Sequence, residues 1–128
     1  MDSVLIARGA EILMSKGYGF ANLEWQVAND LLTKFRLGSV TRQFTAAAIL
    51  LLKERAKLKV DDPVKKYLPG APAAWDKITI FHLLTHTLGI PSFTGLPDYA
   101  ATEAAPSIPE KLVARLHDKP LDFEPGEK

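Results

Sequence analysis

A serine that immediately precedes a helical pattern is the residue of this sequence best suited to chemistry. Ser39 follows Gly38, so its hydroxyl would lie at the positive end of the helix dipole. Its backbone N–H could also stabilise an oxyanion there. Arg42 lies three residues further on and faces the same side of the helix. Ser39 is therefore a candidate nucleophile; the alternative, from the local pattern alone, is that it only caps the helix.

Two histidines four residues apart are candidate metal ligands. His82 and His86 have the spacing at which one helix face can bind zinc. The residue after His82 is Leu83, where a zinc hydrolase carries glutamate, and two imidazoles supply half of zinc's usual ligands. The sequence therefore predicts no metal site and no cofactor. Both histidines are expected to be structural and to cap carbonyl groups near the end of their helix, at Gly89.

The composition excludes several functional classes. Of the 128 residues, 47% are hydrophobic and 24% charged, as in an ordinary folded domain. Sixteen basic and fifteen acidic residues nearly balance, which argues against a dedicated nucleic-acid binder. The absence of cysteine excludes disulfides, thiolate zinc sites and a cysteine nucleophile. No apolar run approaches the roughly 20 residues of a membrane span, and no signal peptide is evident, so the compartment stays open.

The elements that would position these residues begin with strands. Apolar runs at 3–7 and 12–20 flank a turn that contains Gly9, which predicts a β-hairpin. The alternation at 33–37 predicts a short strand or an extended segment. Trp25 and Trp75 are expected in the core. Because two strands alone make a marginal sheet, we expect an exposed strand edge and self-association through it.

Helical patterns follow Ser39. Apolar residues recur at three- and four-residue steps over 40–55, and the helix is apolar on nearly every face, which predicts that it is the most buried element. Three further helices are predicted by their start signals. These signals are Asp62-Pro63 for a short helix to Tyr67, Thr79 for a helix that ends at Gly89, and a capping box at 107–110.

Several segments, in order along the chain, resemble the serine β-lactamase-like family, which includes class C β-lactamases, D-alanyl-D-alanine carboxypeptidases and β-lactamase-fold esterases. The segments that carry the resemblance are 16–22, 35–41, 43–46, 58–64, 67–69, 78–87, 89–91 and 123–126. The resemblance implies an α/β (α+β) class and a partial β-lactamase/DD-peptidase-like fold, with an N-terminal antiparallel hairpin before a helix-rich region. Residues 1–128 are then expected to form a single incomplete domain, with strands within about 3–37 and helices within about 39–120.

The resemblance also implies a reaction. Ser39 takes the nucleophile position of the family's Ser-x-x-Lys motif, and Arg42 takes the position of its lysine base. The parent reaction is hydrolysis of a β-lactam, D-amino-acid peptide or small ester through an acyl-enzyme, so the expected partner is a small acyl substrate. Because arginine stays protonated and later family motifs are expected beyond Lys128, the segment is expected to be inactive. The alternative is a non-catalytic β-lactamase-like binding or remnant module.

Overall fold

The computed structural model describes residues 2–128. These residues fall into two compact units, the first ending at Thr41 and the second covering Arg42–Lys128. The strands are β1 (Asp2–Arg8), β2 (Glu11–Tyr18), β3 (Phe20–Asn22) and β4 (Val27–Ala28). The α-helices are α1 (Thr41–Glu54), α2 (Ile80–Thr85), α3 (Tyr99–Thr102) and α4 (Pro109–Ala114). Four 3₁₀ turns cover Gly38–Val40, Val64–Lys66, Ala73–Trp75 and Phe93–Gly95. Within residues 2–128 no helix is both long enough and apolar enough to cross a membrane.

The first unit contains the predicted hairpin. β1 pairs antiparallel with β2, with Arg8 opposite Glu11 and a bulge between Ile6 and Ala7. The connecting turn has two residues, and its first, Gly9, has a φ of 61°, a conformation that suits glycine in tight hairpin turns. The prediction of an antiparallel hairpin near the N-terminus is therefore confirmed.

A second, shorter hairpin in the first unit was not predicted. β3 pairs with β4, and its turn is held by the Asn22 side chain, whose Oδ1 accepts a hydrogen bond of 2.7 Å from the Trp25 N–H. Trp25 is 81% exposed, so its expected place in the core is wrong: the turn leaves its ring at the surface. Residues 33–37 lie outside every strand, which leaves only the extended-segment alternative for them.

The core of the second unit forms around its 3₁₀ turns rather than around α1. Ile78 is fully buried, and it clusters with Val64, Ala71 and Trp75. Trp75 therefore does occupy the core, as predicted. Half-buried aliphatic side chains from the later part of the chain pack against this cluster; they are Leu88, Ile90, Val113, Leu116 and Leu121.

The prediction that the helix after Ser39 is the most buried element is wrong. α1 has no buried residue, and the Phe44 side chain is 61% exposed. Periodicity shows that a helix is apolar, but burial also needs other elements to cover it. In the second unit the buried hydrophobic residues come instead from the turns at 64–66 and 73–75, from Ala71 between these turns and from the segment 78–80.

Helix boundaries agree with the sequence signals in part. Thr79 is the N-cap of α2, as predicted. The helix ends at Thr85, with His86 as its C-cap at a φ of 60°, and does not continue to Gly89. The segment after Asp62-Pro63 forms a 3₁₀ turn rather than an α-helix. At α4 the N-cap is Ile108 and no side chain caps the helix, so the capping box expected there is absent. Pro109 provides the first helical residue, where a missing N–H has no cost.

Candidate active site

Ser39 lies in the first unit, in the 3₁₀ turn that precedes α1. Gly38 enters this turn with a φ of 54°, which a residue with a Cβ adopts only with strain. The Thr41 N–H donates to the carbonyl oxygens of Gly38 and Ser39, which tightens the turn. Ser39 is exposed. The turn therefore presents the serine hydroxyl at the surface immediately before the helix begins.

Arg42 lies in the second unit, in the first turn of α1, and it lines a cavity of about 670 Å³. One wall of the cavity comes from α1, and the others come from the segment after it, the 3₁₀ turn at 64–66 and α2. The lining residues are Arg42, Thr45, Ala46, Ile49, Leu52, Lys57, Leu58, Val64, Tyr67, Leu68, Ile80, Leu83, Leu84 and His86. Most of them are aliphatic, and none of them is acidic.

The carboxylate of Asp62, beside this cavity, forms hydrogen bonds that fix one of the lining residues, Tyr67. Asp62 Oδ2 accepts three hydrogen bonds: 2.9 Å from the Lys59 N–H, 2.9 Å from Lys66 Nζ and 2.6 Å from the Tyr67 hydroxyl. The Asp62 side chain is only 14% exposed, although Lys66 is 53% exposed. Tyr67 therefore reaches the cavity wall with its hydroxyl fixed by Asp62. Sequence reasoning identified Asp62 only as a helix cap and missed this network.

These hydrogen bonds shift the pKa values of all three side chains. The bond from the Tyr67 hydroxyl, followed by those from Lys59 and Lys66, holds the pKa of Asp62 well below its usual value of 3.8. The same contact with Asp62 raises the pKa of Tyr67 above 10.0, and Asp62 also raises the pKa of Lys66 above 10.5. Asp62 is therefore ionised at neutral pH, while Tyr67 is a neutral phenol that donates and cannot act as a base.

The histidine pair lies at both ends of α2. The Thr79 Oγ1 accepts a hydrogen bond of 3.4 Å from the His82 N–H, and His82 Nδ1 accepts one of 3.2 Å from the Thr79 N–H. This reciprocal box satisfies two donors at the start of the helix. The expectation that His82 caps a carbonyl group at the helix end is therefore wrong. His86 ends α2 through its left-handed backbone, and its ring lines the cavity.

In residues 2–128 no group of three or more histidine, aspartate or glutamate side chains is arranged to hold a metal ion. His82 Nδ1 is occupied by the Thr79 N–H, which leaves this atom unavailable as a ligand.

Comparison with known proteins identifies the family. The β-lactamase family model matches residues 2–128, and the chain belongs to that family. It is 38% identical over 93 residues to penicillin-binding protein 4* of Bacillus subtilis (strain 168), a match that covers 73% of this chain and 20% of that protein. The resemblance found in the sequence motifs is thereby confirmed.

Solved structures show the same fold. The chain is similar to EstCE1, described as a hydrolase with promiscuous acyltransferase activity, with a TM-score of 0.78 and 30% identity over 98% of this chain and 37% of that one. It is also similar to FmtA from Staphylococcus aureus, with a TM-score of 0.77 and 28% identity over 94% of this chain and 32% of that one. The mixed α/β class with a β-lactamase-type fold is confirmed. The chain spans between a fifth and about a quarter of the length of the curated relatives that it matches.

The Asp62 network predicts how stability depends on pH. Because the pKa of Asp62 is lowered on folding, its stabilising effect is present above its usual pKa of 3.8 and is lost as the pH falls below that value. Because the pKa values of Tyr67 and Lys66 are raised, their effect is present below about pH 10 and is lost as the pH rises further. We expect the urea concentration at the midpoint of unfolding, monitored by circular dichroism, to fall below pH 3.8 and again above about pH 10. Asp62→Asn should flatten both limbs.

The matched control is Asp61→Asn, since Asp61 is the exposed neighbour of Asp62. This variant should keep the pH profile of the unmodified chain. A pH profile of Asp62→Asn that is the same as that of the unmodified chain would contradict the role of the carboxylate.

Proposed function

We propose that this chain carries the nucleophile position of a β-lactamase-fold serine hydrolase, with Ser39 as the attacking residue. In the parent reaction the serine oxygen forms a bond to an amide or ester carbonyl carbon, the leaving group departs with a proton, and water then hydrolyses the acyl-enzyme. The observation that carries the proposal is the exposed position of Ser39 in a turn directly before α1, within a chain of this family. Candidate substrates are β-lactams, D-amino-acid peptides and small esters.

Arg42 limits the activity that we propose for the chain. The family's motif has lysine at this position, and lysine can act as a base once burial lowers its pKa. Arginine remains protonated in proteins, so Arg42 cannot take the serine proton. Loss of a general base costs roughly 10²–10⁴ in rate. We therefore propose negligible turnover by the chain, with Arg42 retained as a fixed positive charge.

A second candidate function is a non-catalytic module that binds a ligand through the same fold. Arg42 is the observation that favours it, because a binding module has no need of a base but can use a permanent cation to hold a carboxylate. The two candidates differ in what happens when lysine replaces Arg42 in a longer chain that also carries the family's later motifs. A disabled enzyme should then gain covalent reactivity at Ser39, whereas a binding module should not.

Covalent labelling separates these functions. We expect intact-mass spectrometry, after incubation with an alkyl fluorophosphonate, to show almost no labelling of the chain. Arg42→Lys should label at least tenfold faster only in a longer chain that also carries the family's later motifs. Ser39→Ala in the Arg42→Lys background should abolish the added mass. Rapid ester or β-lactam hydrolysis by the unmodified chain, abolished by Ser39→Ala, would contradict the role given to Arg42. A longer chain that carries both Arg42→Lys and the later motifs but stays unlabelled would favour the binding module.

We also propose that the chain self-associates through the hairpin of β1 and β2. Leu5 in β1 and Ile12 in β2 are 62% and 63% exposed, and a two-stranded ladder has unpaired backbone groups along its edges. Exposed apolar strands of this kind promote pairing with another chain.

Light scattering over a wide concentration range tests this proposal. The mean mass of the unmodified chain should rise with concentration, and Leu5→Lys should shift it toward the monomer, because a charge on a strand opposes edge pairing. Leu32→Lys, at a residue 86% exposed outside the strands, is the matched control and should behave like the unmodified chain. A monomeric mass at every concentration for the unmodified chain would overturn the proposal.

A further inference from the structure

The cavity of the second unit has the composition of a ligand site. Its volume of about 670 Å³ lies within the range of about 300–1,000 Å³ that is usual for small-molecule pockets. Nine of the fourteen lining residues are aliphatic. Such pockets typically combine apolar walls with a few polar groups that fix the ligand's orientation. A ligand for this cavity must therefore bury a mainly hydrocarbon surface.

The charged groups on the cavity wall are of one sign. Arg42 and Lys57 both line it, and no aspartate or glutamate does. In the second unit neither cation forms an ion pair, whereas Lys65, Lys66 and Arg115 are each paired with an aspartate. An anionic group at the cavity would therefore meet cations that are not already neutralised, and no carboxylate of the lining would repel it.

The lining residues from α1 follow one another along the helix, so a long ligand in the cavity would extend along the helix axis. Arg42 lies in the first turn, and Ile49 and Leu52 follow along the helix. Leu52 lies ten positions after Arg42, which corresponds to about 15 Å along the helix axis. An extended alkyl chain of medium length spans this distance. Arginine is also the side chain best suited to a carboxylate, because its planar group can donate two parallel hydrogen bonds.

We propose that this cavity binds an anionic single-chain amphiphile, an alkyl carboxylate, with its head group at Arg42 and its chain along Ile49 and Leu52. Tyr67, held by Asp62, supplies part of the opposite wall. Binding at this site requires no reaction at Ser39, so it goes beyond the proposed hydrolase function and can be tested without any turnover.

Isothermal titration calorimetry on the full chain tests the proposal, with dodecanoate kept below its micelle concentration. We expect saturable one-to-one binding with a dissociation constant at or below about 1 mM, the affinity that a ligand of this size commonly reaches. Affinity should increase from octanoate to dodecanoate by up to about fourfold for each added methylene. Dodecyltrimethylammonium has the same alkyl chain and the opposite charge, and it should bind at least tenfold more weakly.

Two variants locate the head group. Arg42→Gln should weaken dodecanoate binding about tenfold, the usual effect of losing a charge-assisted hydrogen bond. Arg55→Gln is the matched control, because Arg55 follows the same helix but does not line the cavity, and it should change the affinity by less than about twofold. Leu83→Trp, which places a larger side chain in the cavity, should abolish binding while the far-ultraviolet circular dichroism stays unchanged.

Several results would overturn the proposal. They are the absence of saturable binding, equal affinities for dodecanoate and dodecyltrimethylammonium, and equal effects of Arg42→Gln and Arg55→Gln. Light scattering during the titration could give a further result that overturns the proposal. Binding that occurs only in a species larger than the monomer would assign the alkyl chain to a contact between copies of this chain rather than to the cavity.

Discussion

The largely covered carboxylate of Asp62 is the contact on which the arrangement of the second unit depends. Its side chain accepts hydrogen bonds from Lys59, Lys66 and Tyr67, so it closes the turn after α1 onto the following 3₁₀ turn. Its backbone carbonyl accepts from the Ile80 N–H at 3.1 Å, which connects the same residue to the start of α2. One aspartate therefore joins three consecutive parts of the chain, and its negative charge is compensated by donors on each side.

Backbone pairing extends this connection toward the core. The Val64 N–H donates to the Ile78 carbonyl at 2.8 Å, and Pro63 forms a β-bridge with Thr79. Val64 and Ile78 are both buried, so the segment that Asp62 fixes also supplies the centre of the hydrophobic cluster. The cavity follows from this arrangement. One wall belongs to the segment that Asp62 contacts and to α2, and the other wall is the largely exposed helix that carries Arg42.

Local signals in the sequence predict part of this structure. The β1–β2 hairpin follows from two apolar runs around a glycine turn, and the start of α2 follows from Thr79, because both depend on residues close together in sequence. The position of Ser39 before a helix was predictable for the same reason. The family was evident from several motifs in a fixed order, although the roles of Ser39 and Arg42 remain predictions.

Other features depend on contacts that local patterns do not contain. The apolar pattern of α1 predicted burial, yet burial depends on which other elements cover the helix, and Phe44 remains exposed. Trp25 and Trp75 are the same residue type, but only Trp75 lies where chain segments converge. The Asp62 network forms only if the Tyr67 side chain, five residues further on, is oriented so that its hydroxyl donates to the Asp62 carboxylate. The spacing of Asp62 and Lys66 was the one local signal that could have indicated it.

The Asp62 side chain holds the turn after α1 and the start of α2 together. Amide hydrogen exchange in Asp62→Ala, compared with the unmodified chain and with Asp61→Ala, measures this coupling. We expect the amides of Lys59, Ile80 and Phe81 all to lose at least about tenfold of their protection in Asp62→Ala alone. The Ile80 and Phe81 amides donate to backbone carbonyls that the substitution leaves in place, so only coupling through the carboxylate would expose them. Loss of protection confined to Lys59, with Ile80 and Phe81 unchanged, would show that the Asp62 carboxylate does not connect the turn to α2.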